Sequence, residues 1–190
     1  MNAAADTGRH RWLEDPELAA VVAEVEEFVG IGGWDANPRL FALVPTAELR
    51  RSQPELAGHL AGSGRYTPIA QEDMPVGDLA RALGGIGWPD AVVGCVLAQE
   101  IVVLPPDVGD ELAADPATAA GRAAAHPART EARLVAGVLR DAPGGACLLR
   151  VRPSVGTAPA DGGDQGAGAE PLRGGDLAPG LIAALLATFD

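Results

Sequence analysis

Apolar residues recur at two different spacings along this chain, and the spacing separates candidate helices from candidate strands. Between Leu18 and Val29 they follow the spacing of a helix, with Asp15-Pro16-Glu17 as its start signal. The acidic residues of this segment, Glu24, Glu26 and Glu27, fall mostly on the opposite side. The pattern therefore predicts an amphipathic helix near the beginning of the chain.

Continuous apolar runs further along predict buried strands. The run Arg39–Thr46 contains a proline near its end, and Ala91–Leu104 is the longest run. Thr130–Arg140 and Ala146–Arg152 flank the turn-forming sequence 141–145, which predicts a β-hairpin. After these strands, helical spacing returns between Asp176 and Phe189 and predicts a closing helix.

This order of elements predicts an α+β fold. We expect a single domain with a mainly antiparallel sheet of about four strands, covered on one face by the N- and C-terminal helices. The length of 190 residues fits one domain. Residues 1–11 are expected to form a disordered tail before the domain at 12–190. Residues 154–175 are expected to form a flexible loop rich in glycine and alanine.

Charge and cysteine content narrow the possible partners and compartment. A net charge of −12 argues against binding to nucleic acid or to an anionic membrane. Cys95 and Cys147 lie in apolar runs, where buried thiols are expected, and two cysteines make no disulfide framework. We see no signal peptide and no apolar run near the ~18 residues of a membrane span. These features predict a cytoplasmic protein.

Two tryptophan–aspartate pairs precede predicted strands, at Trp34-Asp35 and at Trp88-Pro89-Asp90. One interpretation is a polar ligand site at the strand ends, formed by Asp35, Arg39, Asp90 and His126. The other is structural, with each aspartate capping a turn while each tryptophan covers the end of the core. We favour the structural interpretation, and the four side chains remain the ligand-binding candidates.

Other catalytic chemistry finds little support. A phosphate-binding loop of the lysine-containing type is excluded because the chain has no lysine, and the glycine clusters 30–33 and 84–87 follow helices instead of preceding them. No GxSxG motif occurs. The histidines lack close-spaced metal-ligand partners. We predict no catalytic residue, no metal site and no cofactor.

The hairpin supplies the candidate partner-binding surface. If residue 140 lies opposite residue 146, Arg140, Arg150 and Arg152 share the face that leans toward solvent. Arginine forks bind carboxylates and phosphates well. The alternative is that these arginines pair with the chain's own acidic residues, which number 26 against 14 basic residues.

Several segments together resemble a family of uncharacterised actinobacterial proteins with no assigned activity. They are Trp34-Asp35, Pro38–Thr46, Trp88-Pro89-Asp90, Gly94-Cys95, Leu104-Pro105-Pro106, His126-Pro127 and Arg133–Arg140. The resemblance runs from about Pro16 to Phe189, apart from the insert around Asp161. The abundance of arginine without lysine agrees with a GC-rich source.

Two functional hypotheses follow. The first is a non-enzymatic protein-binding module that forms a homodimer and binds a partner protein through the sheet or its edge. The order of elements and the acidity of this chain are similar to those of small secretion-chaperone-like domains. The second is a small-molecule-binding or enzymatic domain, which requires Asp35, Arg39, Asp90 and His126 to converge.

Overall fold

Six antiparallel strands form one sheet in the computed structural model, which describes residues 15–72, 74, 79–105, 116–153 and 170–190. The strands are β1 (Arg39–Pro45), β2 (Tyr66–Ala70), β3 (Gly94–Val103), β4 (Thr130–Leu139), β5 (Ala146–Val151) and β6 (Leu172–Gly174). Their order across the sheet is β2-β1-β3-β4-β5-β6. The predicted α+β class is confirmed, with six strands instead of about four.

Five α-helices accompany the sheet within the described ranges. They are α1 (Pro16–Ile31), α2 (Thr46–Ser52), α3 (Leu79–Leu83), α4 (Pro116–Ala125) and α5 (Pro179–Leu186), with single 3₁₀ turns at Pro54–Leu56 and Ala187–Phe189. The tail predicted at residues 1–11 and most of the loop predicted at 154–175 lie outside the described residues. The last part of that predicted loop is a strand instead, because Leu172–Gly174 pairs with β5 as the edge strand β6.

Helix α1 begins where the sequence predicts. The Asp15 carboxylate accepts a hydrogen bond of 2.9 Å from the Leu18 amide, and Pro16 occupies the first helical turn, where a missing N–H costs nothing. The expected orientation of Glu26 was wrong. Its side chain lies inward and is only 3 % exposed, because arginines of the sheet meet it there.

The terminal helices cover opposite faces of the sheet, not one face as predicted. Helix α1 packs on the face that carries Leu43, Val96 and Val135, and Gly137 allows the close approach. A Cβ atom at Gly137 would lie 2.7 Å from a methyl group of Val22. Helix α5 covers the other face, against Leu97 and Val138 among others. Both faces of the sheet are therefore buried, unlike the one-sided sheet expected.

The register of the β4–β5 hairpin differs from the prediction. Gly137 lies opposite Ala146, and Arg133 lies opposite Arg150, so the pairing is offset by three residues from the expected one. Arg140 does not extend the hairpin because its amide donates to the Val93 carbonyl at the start of β3. An odd offset moves side chains to the other face of a strand pair. Arg140 consequently does not share a face with Arg150 and Arg152.

Strand β2 forms one edge of the sheet and contains a proline. The Gln71 amide donates to the Leu40 carbonyl, and the Thr46 amide donates to the Arg65 carbonyl. These bonds fix the alternation, so odd-numbered residues of β2 bond to β1 and even-numbered residues direct their backbone groups outward. Pro68 therefore occupies an outward position and removes one of the amide donors along this edge.

Candidate functional site

The chain between α1 and β1 makes a tight turn around Trp34. Gly33 and Asp35 both adopt positive φ angles, of 81° and 67°. Such a conformation is rare for a residue with a side chain, although aspartate tolerates it better than most. The Glu100 carboxylate of β3 stabilises the turn by accepting hydrogen bonds from the amides of Asp35, at 2.9 Å, and Ala36, at 3.3 Å.

Two arginines hold the tryptophan of this turn. The Arg133 and Arg152 guanidinium carbons lie 4.5 Å and 5.5 Å from the centroid of the Trp34 ring. Arg152 also donates two hydrogen bonds to Asp35, of 2.8 Å and 2.9 Å, and one of 2.7 Å to Glu131. The hydrogen bonds to Asp35 lower the pKa of its carboxyl group, because they favour its ionised form.

The ion pairs continue beneath the turn, between α1 and the sheet. Arg150 donates to both oxygens of Glu26, at 2.7 Å and 2.8 Å. Arg133 lies 3.6 Å from the same carboxylate and donates to the Gly33 carbonyl oxygen. The Glu26 and Arg133 side chains are only 3 % and 6 % exposed. A buried carboxylate of this kind is tolerated because its charge is paired and hydrogen-bonded.

We call this group of side chains the Trp34 network. Its members are Glu26, Trp34, Asp35, Glu100, Glu131, Arg133, Arg150 and Arg152. Each of its carboxylates accepts a hydrogen bond from an arginine or a backbone amide. The arrangement fastens the α1–β1 turn to three strands.

A small pocket of about 60 Å³ lies beside the network. Asn37, Arg39, Gln99, Glu100 and Arg133 supply its polar walls. Glu100 and Arg133 already bind the turn, as described above. The Arg39 guanidinium carbon lies 5.4 Å from the centroid of the Phe28 ring and forms a cation–π contact there.

The second tryptophan–aspartate pair lies in a different environment, which we call the Trp88 clasp (Trp88, Asp90, Arg140, Thr188 and Phe189). Trp88 stacks on Phe189 with centroids 5.9 Å apart, and its indole N–H donates to the Thr188 hydroxyl at 2.8 Å. The Arg140 guanidinium carbon lies 5.0 Å from the centroid of the Phe189 ring. A guanidinium nitrogen of Arg140 lies 3.9 Å from the Asp90 carboxylate. The clasp ties the end of the chain to the loop before β3.

The four ligand-binding candidates do not converge, although the second hypothesis requires it. The backbone amide of Asp35 donates to the Glu100 carboxylate. Asp90 instead lies near Arg140, whose amide donates to the Val93 carbonyl. The stretch of chain between positions 93 and 100 corresponds to roughly 20 Å of extended strand. Of the remaining two, Arg39 stacks on Phe28 and His126 begins the turn before β4. The His126 Nδ1 atom accepts a hydrogen bond from the Ala128 amide.

The three candidate partner-binding arginines bind acidic residues of the chain itself. Arg140 is paired with Asp90, Arg150 with Glu26 and Arg152 with Asp35. These pairs correspond to the alternative interpretation of the arginines. The surface predicted from a shared face of the hairpin is not formed.

The central residues of the Trp34 network were not among the predicted site residues: Glu26, Glu100, Glu131 and Arg133. Two signals were present. Glu100 interrupts a strand that is otherwise apolar, and Arg133 precedes a run of apolar residues. A charged residue at such a position in a strand is expected to have a specific partner.

Both cysteines are buried, and their thiols are unreactive at neutral pH. Burial raises the pKa of the Cys95 thiol to about 12 and that of the Cys147 thiol to about 11. A protonated thiol is a poor nucleophile and a poor metal ligand at neutral pH. Within the described ranges, no group of three or more histidine, cysteine, aspartate or glutamate residues is placed to hold a metal ion.

None of the described helices combines the length and the hydropathy that crossing a membrane requires. Comparison with curated proteins and with solved structures found no significant match. The profile of one protein family, described as PPA1309-like protein, matches residues 18–190. The match includes α1 from Leu18 onward, the six strands of the sheet, the Trp34 network and the Trp88 clasp. This chain belongs to the PPA1309-like protein family.

Proposed function

We propose that this protein is a non-enzymatic protein-binding module that meets its partner at the outward side of helix α1. The observation that carries the proposal is the exposure of two large apolar side chains at the end of this helix. Ile31 is 87 % exposed and Phe28 is 51 % exposed, three residues apart and therefore on neighbouring turns of the same side. Two such side chains together mark an interaction surface more often than scattered apolar residues do.

The inward side of the helix fixes α1 against the sheet and so holds its outward side in place. The inward side of α1 packs into the core through Val22, Val25 and their neighbours, and Glu26 is bound to Arg150. Phe28 meets the Phe41 ring edge-on, with centroids 6.1 Å apart. Phe28 is thus held in position by the sheet while about half of its surface faces outward. Rigid aromatic side chains of this kind lose little conformational entropy on binding.

The chemistry of the described residues favours binding over catalysis. The network carboxylates are held by arginines or amides, and the thiols are protonated at neutral pH. Two free, buried thiols also fit a reducing compartment, so a cytoplasmic location belongs to the proposal. A secretion-chaperone-like role is one form that such a module takes, and homodimer formation is a separate prediction.

Site-specific photo-crosslinking in cells that express the protein tests this proposal. A photoreactive phenylalanine analogue replaces Ile31 in one variant and the exposed Glu55 in a control variant. We expect a discrete protein adduct from position 31 that position 55 does not give. Identical adduct patterns from the two positions would contradict the proposed binding surface.

A further inference from the structure

We propose that the partner of helix α1 is a positively charged, amphipathic protein segment, which binds along a ridge of acidic and apolar side chains. The outer ridge of α1 consists of Glu17, Ala20, Glu24, Glu27, Phe28 and Ile31. This inference rests on the proposed protein-binding function and adds the chemistry of the partner.

The geometry of the outer ridge suits an elongated partner. Glu17, Ala20, Glu24, Glu27 and Ile31 are all exposed and follow one another at intervals of three or four residues. Residues at these intervals form a single stripe along a helix, the arrangement by which helices recognise extended or helical partners. The stripe runs nearly the full length of α1. Its acidic part covers the earlier turns, and its apolar part lies at the C-terminal end.

The charges of the ridge select for a cationic partner. Glu24 and Glu27 are three residues apart, so their carboxylates lie on neighbouring turns of the same side. Burial and the Glu27 carboxylate together raise the pKa of Glu24. A cation bound between these two groups relieves their mutual repulsion, whereas an acidic partner increases it.

A second copy of the chain is a poor occupant of the ridge. Glu24 lies at the middle of the ridge, so antiparallel two-fold packing of α1 against α1 would set the Glu24 carboxylates of the two copies against each other. The arginines of the Trp34 network are already bound to acidic residues, so they offer little compensating charge. The chain as a whole carries a net charge of −12. A basic partner meets none of these penalties.

The separation of acidic and apolar side chains along the ridge orients the partner. Arg39 stacks on Phe28, at the apolar end of the stripe. Basic residues of the partner are attracted toward Glu24 and Glu17, on the earlier turns. The apolar residues of the partner therefore contact Phe28 and Ile31, while its cationic residues lie along the earlier turns.

Binding of three defined peptides to the full-length protein tests the inference. The probes are a helical leucine–lysine peptide, its leucine–glutamate counterpart and a lysine peptide without leucine, each followed by fluorescence anisotropy. We expect binding of the leucine–lysine peptide only, and weaker binding as salt is raised. The double variant Glu24→Gln, Glu27→Gln is expected to lose affinity about fivefold, since each exposed charge contributes modestly.

The matched control is Glu55→Gln with Asp176→Asn, which removes the same charge from exposed positions outside α1. Asp176 precedes α5, the helix that covers the opposite face of the sheet. The inference is overturned if this control weakens binding as much as the ridge variant, because attraction to net charge would then explain the result. Equal binding of the acidic peptide overturns it as well. A crosslink from position 31 to a second copy, or to an acidic partner, removes the charge inference while leaving the protein-binding function intact.

Discussion

The two tryptophan–aspartate turns look alike in the sequence and are held by different forces. In the Trp34 network the ring lies against two guanidinium groups, and the seven ionised side chains of the network bind around or below it. In the Trp88 clasp the ring stacks on Phe189, and one neutral hydrogen bond fixes its N–H. The turns also lie at opposite ends of the central strands.

This contrast teaches that a repeated sequence pattern need not repeat its energetics. Both turns deliver the chain into a strand, but Trp88 packs against the core while Trp34 lies against two arginines. The Trp34 network depends on charges removed from water, which are costly to leave unpaired. The Trp88 clasp depends on ring contact and shape, which weaken gradually as atoms are removed. Substitutions in the two regions should therefore lower the free energy of unfolding by different amounts.

The largest effect is expected from Glu26→Ala. This change leaves the buried Arg133 without its closest carboxylate, and breaking a buried pair costs about 3–5 kcal/mol of unfolding free energy. Urea unfolding followed by circular dichroism measures the loss. Glu24→Ala on the exposed side of the same helix is the matched control, with an expected change within about 0.5 kcal/mol. Similar losses from both variants would show that the buried pair contributes nothing special.

Replacing each tryptophan by alanine should give the next-largest losses of unfolding free energy. Trp88→Ala removes the stack on Phe189 and the bond to Thr188, and we expect a loss of about 2–3 kcal/mol, below the range for a fully buried ring. Trp34→Ala removes two cation–π contacts, worth about 1–2 kcal/mol together. Unfolding in urea measures both. A larger loss for Trp34 would reverse the expected order of these two substitutions.

A smaller loss of stability is expected from Thr188→Val, which removes the hydroxyl that accepts from Trp88 and donates to the Leu185 carbonyl. An unmade hydrogen bond of this kind costs about 1 kcal/mol, so local opening should become about fivefold more frequent. Alkylation of Cys147 in a Cys95→Ala background measures the opening, because a thiol with a pKa of about 11 is almost entirely protonated in the folded state. Thr188→Ser keeps the hydroxyl and should label at the unchanged rate. A faster rate for the serine variant would argue against the hydrogen bond as the cause.

The smallest contribution to stability is expected from the exposed pair of Asp35 and Arg152. The folded-state pKa of Asp35 is lowered, so the pair stabilises the fold above the unfolded-state pKa, and this contribution is lost as pH falls through the folded-state pKa. An NMR titration should find the Asp35 carboxyl group titrating below the usual range for aspartate. Arg152→Gln should move that pKa upward. An unchanged pKa in this variant would show that Arg152 is not its cause.

Local patterns predicted the elements well and the pairings poorly. Helix α1, with its Asp15 cap, and strand β1 lie where apolar spacing and turn residues place them. Glu26 and Arg150 are 124 residues apart, and no local pattern indicates that they meet. The inward position of Glu26 follows from that distant partner, since the same carboxylate would face solvent without it. The hairpin register failed for a similar reason, because Val93 binds Arg140 from outside the hairpin.

Pro68 has a consequence for crowded solutions of this protein. A free sheet edge offers a template on which another molecule can add a strand, and repeated addition leads to insoluble fibrils. The outward position of Pro68 leaves a gap in the row of donors that an incoming strand would need. Strand β2 can therefore stay at the border of a highly apolar sheet without recruiting its neighbours.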